Sequence, residues 1–123
     1  MGGAMSKRKG ANYERKIAKL LSDAFDTKVS RIPMSGALPD WKGDLRDLTG
    51  VLKDFVWELK CQEKLNIWSA LLQSEREALG STRIPVVVFT KNHAKNYVAL
   101  ELNDFLSILA ERKTNENNVD ITK

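Results

Sequence analysis

The chain has 123 residues and 42% hydrophobic residues, with 20 Lys and Arg against 16 Asp and Glu for a net charge of +4. That is the size and composition of one ordinary soluble domain with a core of its own. A single cysteine, Cys61, excludes an internal disulfide, and His93 alone is too little for a zinc site. No apolar run approaches the ~20 residues that cross a bilayer.

In chain order, "MGGA" reads as an added segment ahead of a natural start at Met5, and "SKRKG" as a basic arm over residues 1–11, with Lys7, Arg8 and Lys9 side by side. Neither contains the apolar stretch of a signal peptide, which suggests an intracellular protein of the cytoplasm or nucleoid. A folded domain is expected over 12–112. The spacing of Tyr13, Ile17, Leu20, Leu21 and Ala24 predicts a helix from Asn12 to about Ala24, capped by Asn12. Glu14 lies at the edge of that apolar face, where a carboxylate is costly without a partner.

"TKVSRI" reads as a short strand, "PMSGALPDWKG" as a loop, "DLRDL" as a second strand and "LTGV" as a turn. A long strand is expected from Val51 to Cys61, with Val51, Phe55, Trp57 and Leu59 turned to the core. A second helix is expected from Ile67 to Leu79, capped by Asn66 and ended by Gly80. Its expected buried stripe is Ile67, Trp68, Leu71, Leu72, Ala78 and Leu79. "IPVVVFT" reads as a central strand buried on both faces and "YVALEL" as a further one. Asn103 opens a third helix, and residues 113–123 form a polar tail. The α-β-β-β-α-β order gives an α/β fold, a mixed β-sheet flanked by helices.

Within "FVWELKCQ", Glu58 and Lys60 point to the same side of a strand. Asp44 opens the adjoining strand, so the two carboxylates can approach each other. Neighbouring carboxylates resist joint ionisation, and a divalent cation between them removes the conflict. Oxygen ligands suit Mg²⁺, with Mn²⁺ as a substitute. Such a cation can hold a scissile phosphate, activate a water and stabilise charge on a leaving oxygen, while Lys60 orients the water or meets charge on phosphate. The backbone carbonyl of Leu59 is a further possible ligand. E-x-K alone is weak, since an exposed ion pair explains most such matches.

The motifs in combination are more specific. "KRKGANYERKIAKLL", "SRIPMSGALPDWKGDL", "FVWELKCQ" and "IPVVVFT" occur in an order and spacing that resemble the PD-(D/E)XK nuclease superfamily, and within it the archaeal-type Holliday junction resolvases. The resemblance spans roughly Lys7 to Thr90 and implies a restriction-endonuclease-like fold. It implies metal binding by Asp44 and Glu58 with Glu14 as a nearby acidic ligand, and a catalytic role for Lys60. Ser35 matches a serine that positions the scissile phosphate, and Arg31 a basic residue lining the DNA path.

Two departures stand out. The literal "PD" is Pro39-Asp40, whereas the aspartate at the strand, Asp44, follows Gly43. Asp44 is preferred because Asp40 would lie back in the loop. Some relatives carry a functional glutamine on the helix after E-x-K; Gln73 and Gln62 compete for that role, and the expected stripe turns Gln73 away, so neither is assigned.

The leading reading is a Mg²⁺-dependent endonuclease for branched DNA, held through phosphates by Lys7, Arg8, Lys9, Arg15, Arg31 and Ser35. Two symmetric cuts at a four-way junction suit a homodimer. The alternatives are a nicking, repair or restriction-type nuclease of the same superfamily, a DNA-binding module without activity, and a structural protein with incidental ion pairs. The compact length suits a viral gene as well as a cellular one.

Overall fold

The computed structural model describes residues 2–33 and 42–121. Its elements are α1 (Gly2–Phe25), β1 (Ser30–Arg31), β2 (Leu45–Arg46), a 3-10 turn (Gly50–Asp54), β3 (Phe55–Cys61), α2 (Ile67–Ala78), β4 (Ile84–Thr90), β5 (Tyr97–Ala99) and α3 (Leu102–Ile121). The fold is α/β, as the element order predicts: mixed strands with helices packed against them. Among the described residues, no helix is long and apolar enough to cross a membrane.

β3 and β4 pair in parallel, Glu58 opposite Val87 and Lys60 opposite Phe89, and β5 adds to β4 antiparallel. β1 and β2 form a separate antiparallel pair. The backbone of Asp44 joins the two sheets. Its N–H donates to the Trp57 carbonyl at 2.7 Å and its carbonyl accepts from the Ile32 N–H at 2.8 Å. A regular strand residue turns both groups toward one neighbour, so this split marks a bend.

Gly43 makes the bend possible. Its φ is +81°, and a Cβ there would lie 2.6 Å from the Trp57 carbonyl oxygen and 3.1 Å from Val56 Cγ1. Only glycine accepts both the left-handed backbone and the close approach. Gly43→Ala should therefore cost roughly 2–4 kcal/mol and lower the melting temperature by on the order of 10 °C, which a thermal melt would read directly.

β3 is covered on both sides. Its odd positions face α1, where Leu59 joins Tyr13, Ile17, Leu21, Val29 and Val88 in the core, with Trp57 and Cys61 packed against it. Its even positions face α2, which packs on β3 and β4. Val56 and Val87 are fully buried. Burying each such aliphatic side chain contributes roughly 1.5–3 kcal/mol.

Several expectations are corrected. α1 begins at Gly2, so Lys7–Lys9 belong to the helix and do not precede it, and Asn12 lies inside it. Leu20 and Ala24 are exposed, while Ala18 joins the buried stripe. The long strand starts at Phe55, because residues 50–54 form the 3-10 turn, with Val51 exposed and Leu52 buried. α3 continues past residue 113 to Ile121, where polar composition alone suggested a tail.

The largest correction is the phase of α2. Trp68 is 80% exposed, and Leu72 and Leu79 are also exposed; the buried residues are Ala70, Ser74 and Ala78. Small residues four apart let the helix approach the valine-rich sheet closely, and the large apolar side chains are left outside.

Candidate active site

Three elements bring the predicted groups together. β3 carries Glu58 and Lys60 on its α2 face, the bend before β2 carries Asp44, and α1 carries Glu14. Glu58 and Asp44 are both buried, at 3% and 6% exposure. A buried carboxylate needs donors, and each of these has them. The Leu59 N–H donates to Asp44 Oδ2 at 2.8 Å. The Gln73 side-chain amide donates to Glu58 Oε1 at 2.9 Å, and Lys60 Nζ lies 3.7 Å from the same oxygen. Arg31 Nε donates to Glu14 Oε1 at 2.9 Å.

Electrostatics ties the acids into one unit. Burial, reinforced by the charge of Asp44, pushes the Glu58 carboxyl up to about 8, against the opposing pull of Lys60. Burial and Asp44 also raise Glu14, opposed by Arg31 and Arg15. Asp44 thus stands within electrostatic reach of both glutamates. Among the described residues, no three His, Cys, Asp or Glu side chains close into a ready-made metal-binding group. Glu14 is instead drawn to Arg31.

The donor chemistry nevertheless fits a hard divalent cation. Two buried carboxylates that disfavour each other's charge flank the edge of β3, and a cation beside them would reverse that penalty. Strand parity adds a neutral oxygen, because the carbonyl of Leu59 points to the same edge as its N–H, toward Asp44.

The remaining candidates fall as follows. Ser35 and Asp40, like Trp41, lie outside the described residues. Lys7, Arg8 and Arg15 are exposed on α1, where Arg15 Nη1 donates to Asn12 Oδ1 at 3.1 Å. Lys9 lies 3.8 Å from Glu63.

Sequence reasoning left out two residues that the structure turns to the site, Gln73 and Glu77. Gln73 contacts Glu58, and Gln62 is exposed, its N–H extending the β3–β4 pairing through the Thr90 carbonyl. Glu77, one turn after Gln73, accepts from the Gly43 N–H at 3.5 Å and adds negative potential at Glu58. The signal for both was the Ala70, Ser74, Ala78 spacing, which places residues 73 and 77 beside the buried face.

A buried acid pair beside a lysine on one strand of a mixed sheet is the arrangement of a PD-(D/E)XK-type nuclease site. A family model described as "Phage putative PDDEXK endonuclease" matches residues 5–123. The chain belongs to that family, and so to the PD-(D/E)XK superfamily. No curated protein and no solved structure matches it.

Proposed function

We propose that this protein is a divalent-metal-dependent, structure-selective DNA endonuclease whose substrate is branched DNA, in particular a four-way junction. The observation that carries the metal-dependent reading is Glu58, buried next to Asp44 and contacted by Lys60 and Gln73 on one strand face. The order of its motifs, similar to that of archaeal-type Holliday junction resolvases, supports the junction as substrate.

Asp44, Glu58 and the Leu59 carbonyl would hold Mg²⁺ or Mn²⁺, with Glu14 as the nearby acid. When bound, the cation supplies Lewis-acid activation of the phosphate. The chain's own groups do the rest. Gln73 fixes the orientation of the Glu58 carboxylate. Lys60 is placed to orient a water or to meet charge building on the phosphate. Ser35 would position the scissile phosphate, and Arg31, already holding Glu14, would line the DNA path. Lys7, Arg8, Lys9 and Arg15 contact flanking phosphates.

A second copy of the chain supplies the second cut, and exposed Trp68, Leu72, Leu102 and Phe105 offer apolar surface for such a homodimer. The deciding experiment is a cleavage panel of junction, flap, nicked and linear duplex, with Mg²⁺, Mn²⁺ or EDTA, on protein whose solution mass has been measured. Junction cutting by a dimer, lost in EDTA, is the expected result. Equal cutting of linear duplex would mark a nuclease of another type. Metal-independent junction binding without any cutting would mark an inactive binding module.

A further inference from the structure

A concavity of about 440 Å³ lies on the other edge of α1 from Glu14, and Arg8, Lys9, Lys16, Lys91 and Asn92 line it. The helix explains the separation. At ~100° per residue, Lys9 and Lys16 fall on one side of the buried Tyr13–Ile17 stripe and Glu14 on the other. The far wall is the β4–β5 loop, at the carboxyl end of the parallel strands, where open α/β sheets collect ligands. The walls are tied together by the Tyr13 hydroxyl, which donates to Asn96 Oδ1 at 3.0 Å across 83 residues of sequence.

The pocket gathers four cations, and one carboxylate answers them. Glu63 Oε2 accepts from the Asn92 N–H at 2.6 Å and lies 3.8 Å from Lys9 Nζ. A backbone N–H and an ammonium converging on one anionic oxygen is the way a phosphate oxygen is held. Lys16 and Lys91, by contrast, have no ion pair among the described residues.

We infer that this pocket binds a backbone phosphate of the DNA substrate away from the scissile bond, and that the Glu63 carboxylate fills the anion position until a phosphate displaces it. The inference rests on the nuclease reading and extends it. One strand engages the carboxylates, and a second segment of backbone is gripped across the helix. That grip suits a branched substrate, which presents backbone in more than one direction.

The test is fluorescence anisotropy of a labelled junction oligonucleotide in EDTA over a salt series, with the full chain. Lys16→Gln combined with Lys91→Gln should weaken binding roughly tenfold and flatten the log–log salt slope by about 1, near 0.9 for the one phosphate that is no longer neutralised. Glu63→Gln should do the opposite, tightening binding by roughly two- to fivefold, on the scale of one exposed ion pair. Misfolding cannot produce that gain. If the unmutated protein cuts DNA while all three substitutions leave affinity and slope unchanged, the pocket assignment falls and the nuclease reading stands. If the unmutated protein neither binds nor cuts any DNA, both fall. Tighter binding of a polyglutamate peptide than of DNA, abolished in the double lysine variant, would assign the pocket to an acidic protein and overturn the inference.

Discussion

Glu58→Ala should lower cleavage of branched DNA at least ~10³-fold, a loss of about 4 kcal/mol of transition-state stabilisation, while DNA affinity in EDTA stays within about twofold. The two readouts separate because different groups serve them. Affinity comes from lysines and arginines that neutralise phosphates. Glu58 is buried and acidic, and it contributes nothing attractive to a polyanion. Glu58→Gln sharpens the test, since an amide keeps the size of the side chain and removes its ability to become an anion. Single-turnover assays on both variants would check the expectation. Full cleavage by Glu58→Gln would place the cation-holding group elsewhere.

The free protein should lose stability as the pH rises from about 5 to about 8. In the unfolded chain Glu58 titrates near its ordinary value of 4.5, and in the fold it is pushed up to about 8 by burial and by Asp44. Between those values the native state keeps a proton that the unfolded state has released. The native advantage is therefore complete below the lower value and disappears as the pH climbs through the upper one. The change is on the order of a few kcal/mol, and Glu14, also raised, adds to it with the same sign. Mg²⁺ favours the ionised carboxylates, so its stabilising effect should grow along the same pH range. Thermal melts from pH 5 to 8, with Mg²⁺ or EDTA, measure both slopes. Glu58→Gln should flatten the first and shrink the second. A melting temperature independent of pH in EDTA would contradict a buried glutamate coupled to Asp44.

The order of elements, the central place of β4 and the pairing of Glu58 with Lys60 could all be read from residue patterns, because a continuous β-branched run marks a central strand and alternation along a strand is a rigid geometric rule. Asp44 was legible through its place just before β2. The position of Gln73 was not. Trp68, Leu72 and Leu79 are apolar and spaced like a buried stripe, yet they lie on the surface, while a serine, Ser74, is buried. Hydrophobicity reports that a face wants cover and does not say what covers it. The role of α1 in holding Lys9 and Lys16 across from Glu14 was equally hidden, since a run of basic residues ahead of Asn12 looks the same whether or not it is helical. The joint at Asp44 depends on one glycine whose neighbour, Trp57, is 14 positions further on, a proximity that local patterns do not encode.

The division of β3 into a core side and a chemical side bears on how such a protein can change over generations. Losing or gaining one codon between Phe55 and Cys61 would exchange the two sides for every residue beyond it, driving charged groups under α1 and leucine toward α2. Fold and activity would fail in the same event, so lineages of this chain should vary in length anywhere before freely altering the spacing of these seven positions.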